Sequence, residues 1–181
     1  MLEEYLSPST DKHNHITSFL FARVLPLIEM RKVYATQEQV ALAHWGTKQQ
    51  TNVGLLKLID VIDLPIEKND FIENVLDELE YILPDFMMFH QYPYIRNLKG
   101  TRIAGQPDLV VEVWSKSNTP KERDIKHEIY SSSERTEHWY IEQDSNNVLC
   151  WLGKKQLASQ SLKEILKTKN GVEFDLRYLA L

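Results

Sequence analysis

Residues 106–113 read Gln-Pro-Asp-Leu-Val-Val-Glu-Val, an apolar strand pattern that carries Glu112 in its middle. Residues 83–89 read Leu-Pro-Asp-Phe-Met-Met-Phe and place the same Pro-Asp pair at the start of a second apolar run. An ionised carboxylate is costly to bury unless a cation, a metal or hydrogen bonds compensate its charge. These two stretches therefore predict where a functional site is to be found.

Turn residues at positions 97–100 separate the two stretches and predict an antiparallel hairpin. If the pairing is centred on the middle of this turn, Asp85 lies opposite Glu112. Directly opposed residues have Cα atoms about 4.5–5.5 Å apart, so the two carboxylates would meet on one face of the sheet. A slip of one residue would place them on opposite faces.

Local signals predict the helices around this hairpin. Capping residues and apolar residues at helical spacing predict a helix from about Asp11 to Arg31, in which Pro26 could produce a kink or an early end. A capping box with proline at the first helical position predicts a second helix from about Pro120 to Ser133. Ile125 and Ile129 mark the expected core seam of that helix.

Apolar periodicity predicts the remaining elements. Residues 37–44 could form a strand or a helix. The other predicted elements are strands at 55–64, 81–89, 138–142 and 148–152, helices at 70–79 and 161–168, and a last extended segment from residue 170. This order of helices and strands predicts a mixed β-sheet flanked by helices, in the α/β (α+β) class.

The size and composition of the chain limit what it can be. Its 181 residues, 43% of them hydrophobic and 26% charged, predict one globular domain over residues 1–181, with the motif-bearing core at 83–141. The net charge of −5 gives no general basic footprint for nucleic acid, although a local basic face remains open. A single cysteine, Cys150, and the lack of a secretory signal pattern predict a cytoplasmic protein. No apolar run approaches the roughly 20 residues of a membrane span.

Four residues form the candidate catalytic set: Asp85, Asp108, Glu112 and Lys126. Hard divalent cations such as Mg²⁺ bind carboxylate oxygens, and a nearby lysine can hold a water or stabilise charge on a phosphoryl oxygen. The three acids are therefore the candidate metal ligands. Four strand residues separate Asp108 from Glu112 by about 13 Å. Asp85 and Glu112 are thus the expected pair of metal ligands. Asp108 could instead lie next to these ligands without binding the metal itself, or cap the loop.

A structural interpretation of the same residues remains open. Asp85 and Asp108 could be ordinary Pro-Asp turn residues, and Glu112 could form a structural salt bridge with a basic residue of the following helix, Arg123 or Lys126. The local basic residues could likewise meet a phosphate backbone or be solvated surface; they are Lys116, Lys121, Arg123 and Lys126.

Several aromatic and histidine residues are expected to be structural. His13 and His15 are too close together for an HNH nuclease motif and are expected to flank a helix start. The aromatic residues with apolar neighbours are typical of a core rather than of a base-stacking platform; they are Trp114, Trp139, Tyr140 and Trp151.

The run from Pro107 to Ser115, then Asp124 with Lys126 and Tyr130, then the run from Glu137 to Ile141, resemble the Uma2 family of restriction endonucleases, also called DUF820. That family is similar to the PD-(D/E)XK nuclease superfamily. The resemblance is specific between about residues 83 and 141 and weaker near the start of the chain. It implies a restriction-endonuclease-like fold, Mg²⁺ or Mn²⁺ as cofactor, and DNA as the partner.

Departures from the superfamily and family patterns bear on the candidate site. A lysine usually stands two residues after the strand acid, but Trp114 holds that position here. The resemblance implies that Lys126 on the following helix replaces it and assists the attacking water. The acidic motif common near the start of family members is also missing here. Glu4 and Glu29 are the weak candidates for a metal ligand from the N-terminal part of the chain.

Three functions remain to be weighed. The first is a metal-dependent DNA endonuclease that hydrolyses phosphodiester bonds. The second is a catalytically inactive nuclease-like fold that binds nucleic acid or a partner protein. The third is a purely structural dimer. A homodimer would also suit the first function, because cleavage of a duplex needs two cuts.

Overall fold

The computed structural model of the protein describes residues 11–30, 33–37, 40–43, 81–90, 94–96 and 101–180. The helices in these residues are α1 (Asp11–Glu29), which continues through Pro26, and α2 (Pro120–Ser131), with a 3-10 turn at Arg177–Leu179. The strands are β1 (Tyr34–Gln37), β2 (Ala41–Ala43), β3 (Tyr81–Ile82), β4 (Phe86–Phe89), β5 (Tyr94–Arg96), β6 (Arg102–Gly105), β7 (Leu109–Trp114), β8 (Glu137–Glu142), β9 (Asn147–Leu152), β10 (Lys155–Gln156), β11 (Gln160–Ser161), β12 (Ile165–Lys167) and β13 (Glu173–Asp175). The predicted strand at 55–64 and helix at 70–79 lie outside the described residues.

Two sheets organise most of these strands. The central sheet has the order β1-β4-β7-β8-β9-β10 with β11 also paired to β9, and a second sheet has the order β3-β2-β6-β5. In the central sheet β7 and β8 run parallel and are connected through α2, whereas β4 with β7 and β8 with β9 pair antiparallel. The fold is therefore of the mixed α+β class that the sequence predicts. In this part of the chain, no helix combines the length and the apolar character that a membrane span requires.

The pairing of β4 with β7 has the predicted register. Phe86 lies opposite Val111, and the same register places Asp85 opposite Glu112. The chain between the two strands is not one continuous hairpin, because β5 and β6 pair with each other in the second sheet. The two acids are nevertheless brought to the same face of the central sheet.

Alternation along β7 divides the central sheet into two faces. Odd-numbered residues such as Val111 pack with Ile16 of α1 in one core cluster. Even-numbered residues such as Val110 pack with Tyr130 of α2 in the other. Glu112 is even-numbered and 1% exposed, so the acid in the middle of the strand points beneath α2.

The helix α2 begins as the capping box predicts. Thr119 Oγ1 accepts a hydrogen bond at 3.2 Å from the N–H three residues later. The predicted core seam is wrong at Ile125, which is 46% exposed. The inward side of the helix instead carries Lys126 and Tyr130, because it faces the Glu112 carboxylate rather than a purely apolar surface.

Two predicted elements differ in the structure. The run at 81–89 forms two strands, β3 and β4, because Pro84 between them has no N–H to donate to a ladder. The helix predicted at 161–168 is wrong, since this segment forms the end of β11, a turn and β12. The Gln160 side chain accepts from the Lys167 N–H at 2.7 Å and donates to the Lys167 carbonyl at 3.0 Å. These bonds, with the pairing of β12 to β13, hold the segment extended.

The turn between β9 and β10 provides a test of the fold. Gly153 has a φ of +53°, and a Cβ there would lie 3.0 Å from Glu134 Cα and 3.1 Å from the Ser133 carbonyl oxygen. Gly153→Ala should therefore lower the free energy of unfolding by about 1–3 kcal/mol, through backbone strain and the close contact together. The matched control is Gly171→Ala, because Gly171 has a φ of +81° with nothing within 4 Å of its Cβ position. Urea denaturation should show the larger loss for Gly153→Ala, and equal losses would contradict the role of the contact.

Candidate active site

A buried cluster of carboxylate, lysine and tyrosine lies beneath α2. Glu112 Oε2 accepts a hydrogen bond from Lys126 Nζ at 2.6 Å, and Oε1 accepts one from the Tyr130 hydroxyl at 2.5 Å. The Glu112 side chain is 1% exposed and that of Lys126 is 15% exposed. Residues four apart lie on one side of a helix, so α2 delivers both donors to the same carboxylate.

Asp85 lies beside this cluster, just before β4. Its Oδ2 accepts a hydrogen bond from the Val113 N–H at 2.7 Å, and the carboxylate thereby extends the hydrogen bonding between β4 and β7 beyond their last strand pair. His13 of α1 places its Nε2 3.1 Å from the same oxygen. The structure thus brings Asp85, Glu112 and Lys126 together on one face of the sheet.

Burial and neighbouring charges set the protonation of the cluster. Burial raises the pKa of Glu112, the charge of Lys126 opposes this rise, and the charge of Asp85 adds to it. Burial alone would lower the pKa of Lys126, but the charges of Glu112 and Asp85 outweigh it and hold that pKa above its usual value. Burial would likewise raise the pKa of Asp85, yet the hydrogen bond from His13 and the charge of Lys126 hold it below its usual value. Near neutral pH, Lys126 is therefore a cation and Asp85 an anion.

Asp108 lies apart from this cluster, at the start of β7. Its Oδ2 accepts a hydrogen bond from the His90 N–H at 2.7 Å, and its Oδ1 accepts one from Asn170 Nδ2 at 2.9 Å. The residue is 4% exposed. These bonds fasten the start of β7 to the end of β4 and to the turn before β13. Asp108 is the candidate residue that the structure does not bring to Lys126.

Several members of the predicted basic cluster are paired with acids. Arg123 Nη1 donates to Glu142 Oε1 at 2.7 Å, and its guanidinium lies 4.6 Å from the centroid of the Trp114 ring. Lys116 Nζ lies 3.3 Å from Asp144 Oδ2. The Arg123 contacts join α2 to the ends of β7 and β8, whereas the Lys116 pair is exposed to solvent and contributes little.

The aromatic residues of this face form part of the core, as predicted. Trp114 stacks on Tyr140 with ring centroids 4.0 Å apart, and both residues are buried. His138 is 0% exposed, and neither of its ring nitrogens has a hydrogen-bond partner among the described residues. Burial lowers the pKa of His138 to about 3, and the neighbouring His127 adds to this shift. His138 is therefore neutral in the folded protein.

Sequence reasoning misses His13 and leaves Tyr130 without a role. His13 is expected only to flank a helix start, but it lies within α1, at the first position of a stripe that continues with the buried residues Ile16 and Leu20. The spacing i, i+3, i+7 is the signal that could have found it. Tyr130, four residues after Lys126, could have been found by the same spacing.

The donor groups of the site are carboxylate oxygens, the type of ligand that a hard divalent cation prefers. Among residues 11–180, with the gaps given above, no three His, Cys, Asp or Glu side chains form a group that could hold a metal ion. Two carboxylates are sufficient for Mg²⁺, however, because this ion keeps waters and takes substrate phosphates as its other ligands. In Asp85, the contacts made by described residues fall on Oδ2. Its Oδ1 and the buried Glu112 carboxylate are thus oxygen donors of the kind that Mg²⁺ and Mn²⁺ prefer.

Comparison with known proteins assigns the chain to a family. Residues 63–177 match the model of Uma2, described as "Putative restriction endonuclease". The chain belongs to the Uma2 family. This finding confirms the resemblance seen in the sequence, and the matched residues include the four candidates of the Uma2 site but not His13. No curated protein matches the chain.

A solved structure supports the fold of this Uma2 protein. It is a crystal structure of "a putative nuclease belonging to DUF820" from Anabaena variabilis ATCC 29413. The two align with a TM-score of 0.59 and 13% sequence identity, over 96% of this chain and 84% of that chain. Similarity at this level of identity shows the fold alone, and it confirms a nuclease-like fold.

Acid should destabilise this Uma2 protein through His138. Its pKa in the folded protein is about 3, whereas an exposed histidine titrates near pH 6.5. Between about pH 6.5 and 3 the unfolded state binds more protons, so this residue makes the free energy of unfolding fall as the pH drops. His138→Phe keeps a ring and removes the titration. Urea denaturation at about pH 7.5 and 5 should therefore show a smaller loss of stability in acid for the variant than for wild type.

The control for this experiment is His15→Gln, on the exposed side of α1. It should keep the pH dependence of the wild type. A His138→Phe variant with the same pH dependence as wild type would contradict the role of His138.

Proposed function

We propose that this protein is a Mg²⁺- or Mn²⁺-dependent endonuclease that hydrolyses phosphodiester bonds in DNA. The observation that carries the proposal is the convergence of Asp85, Glu112 and Lys126 from two adjacent strands and a helix. The description of the family supports the same class of reaction. A homodimer that cuts both strands, and a reducing cytoplasm suited to the buried free thiol of Cys150, belong to the same proposal.

Asp85 and Glu112 would hold the cation, which supplies a Lewis acid for the phosphoryl oxygen and lowers the pKa of an attacking water. The protein fixes both carboxylates before any ligand arrives. Glu112 is held at its two oxygens by Lys126 and Tyr130, and Asp85 is held at Oδ2 by the backbone of β7. Such preorganisation keeps the ligands in place without further ordering on binding.

Lys126 would act by its positive charge. Its pKa is raised by Glu112 and Asp85 although burial opposes the rise, so the amine keeps its proton and does not serve as a general base. A cation at this position stabilises the negative charge that develops on the phosphoryl oxygens. Its N–H groups can also orient the attacking water.

DNA would be contacted through its phosphates rather than its bases. The aromatic rings beside the cluster, those of Trp114 and Tyr140, are buried and stack on each other, so they offer no exposed platform. Lys121, the second residue of α2, is exposed to solvent. Its charge would be available for contact with a DNA phosphate. A contact of this kind depends on charge and falls with added salt.

A nuclease-like module that binds without cutting is the second candidate. Both oxygens of Glu112 are already engaged, by Lys126 and by Tyr130. A cation that uses Glu112 must compete with at least one of these donors. A binding module needs no such exchange, so the occupied carboxylate specifically favours this alternative.

Plasmid cleavage by the purified protein tests the choice between the two. With Mn²⁺, wild type should nick supercoiled DNA, and Glu112→Gln should lower the rate on the order of 100-fold or more, because the amide cannot supply a carboxylate ligand. The matched control is Glu128→Gln on the exposed side of α2, which should cleave at the wild-type rate. Cleavage that survives Glu112→Gln would contradict the mechanism. A wild-type protein that neither cleaves nor binds Mn²⁺ in calorimetry would contradict the proposed function and favour the second candidate.

Asp108 is proposed to brace the strands rather than to bind metal. Asp108→Ala removes the acceptor of two buried hydrogen bonds and should lower the free energy of unfolding by about 1–3 kcal/mol. Asn170→Ala removes one of these bonds and should cost less, and the double variant should lose less than the sum of the two. The affinity for Mn²⁺ should stay at the wild-type value in both. A loss of Mn²⁺ affinity without a loss of stability would instead make Asp108 a metal ligand.

A further inference from the structure

The first turn of α1 reaches the candidate site through His13. Its side chain is 11% exposed, and its Nε2 lies 3.1 Å from Asp85 Oδ2. The neighbouring Lys12 Nζ donates to the Gln143 carbonyl just after β8, which fixes this turn at the same end of the central sheet. His13 lies outside residues 63–177, the part of the chain that matches the family, so the family match gives it no role.

The contact defines the direction of the hydrogen bond. An ionised carboxylate only accepts, so the hydrogen must lie on His13 Nε2. The Val113 N–H donates to the same oxygen of Asp85 at 2.7 Å. Two donors from different elements, a helix and a strand, therefore restrict the rotation of the Asp85 carboxylate about its last bond. Their convergence on Oδ2 leaves Oδ1 as the oxygen that can turn towards a ligand.

We propose that His13 is a positioning residue that orients the Asp85 carboxylate for metal binding. The inference rests on the proposed function, because it takes Asp85 as a metal ligand. Hydrogen-bond partners of metal-binding groups typically change metal affinity by about 10–100-fold when they are removed. In this site α1 supplies a hydrogen-bond donor to one of the proposed metal ligands.

Direct ligation of the metal by His13 would have a different signature. An imidazole nitrogen suits Mn²⁺ better than Mg²⁺, which prefers oxygen ligands. Loss of a nitrogen ligand would thus weaken Mn²⁺ binding more than Mg²⁺ binding. Loss of a positioning residue should weaken the binding of both ions by the same factor, since the ligand it orients is an oxygen.

Two variants of the protein separate these roles. The amide nitrogen of glutamine has about the reach of histidine Nε2, whereas that of asparagine ends one bond short. Binding of Mn²⁺ is measured by electron paramagnetic resonance, and binding of Mg²⁺ by its competition with Mn²⁺. His13→Asn should weaken the binding of both ions about tenfold or more, and His13→Gln should restore it to within about threefold of wild type. Both variants keep a small polar side chain, and thermal unfolding confirms that each is folded.

The controls separate failure of this inference from failure of the proposed function. Asp85→Asn should abolish Mn²⁺ binding, and His15→Asn, on the exposed side of α1, should leave it unchanged. If wild type binds no Mn²⁺, both the proposed function and the role of His13 are overturned. If Asp85→Asn loses binding while His13→Asn keeps the wild-type affinity, the role of His13 alone is overturned. A loss confined to Mn²⁺ would replace positioning with direct ligation.

Discussion

The buried hydrogen bonds of Glu112 with Lys126 and Tyr130 are the constraint on which the arrangement of this protein depends. A carboxylate in the middle of a buried strand is tolerated only if its partners are in place, and breaking a buried pair by removing one partner typically costs about 3–5 kcal/mol. Both partners come from α2. The rotation of that helix over the sheet, and with it the crossover from β7 to β8, is therefore fixed by a polar contact as much as by apolar packing.

The two Pro-Asp pairs, identical as sequence, have different structural roles. Asp85 stands opposite Glu112 and accepts hydrogen bonds from a strand backbone and from α1, both at Oδ2. Asp108 stands one strand length away and uses both oxygens to join β4, β7 and the turn before β13. The first pair lies in the candidate site, and the second joins β4 to β7 near the far end of the pairing that places Asp85 opposite Glu112.

Much of this arrangement could be predicted because it depends on local pattern. The alternation of β4 and β7 limits the register to alternate residues, and the cap at Thr119 fixes the start of α2. The segment at 161–168 could not be predicted, because its helical spacing is overridden by bonds to Gln160 and by pairing with β13. The prediction that Ile125 faces the core is wrong for a related reason. Hydrophobicity indicates the inward side of a helix only when the surface beneath that helix is apolar. The helical spacing of His13 marks its side chain as inward-facing, but no local pattern encodes its contact with Asp85, which is distant in sequence.

The route of the chain between β4 and β7 also bears on the geometry of the two acids. At the base of this excursion the Asp108 N–H donates to the Met88 carbonyl at 2.8 Å, and the His90 N–H donates to the Asp108 carboxylate. These bonds close the central sheet at the point where the chain leaves it and returns. The spacing of Asp85 and Glu112 therefore depends on the β4–β7 pairing and on this closure, and not on the length of the chain between the two strands.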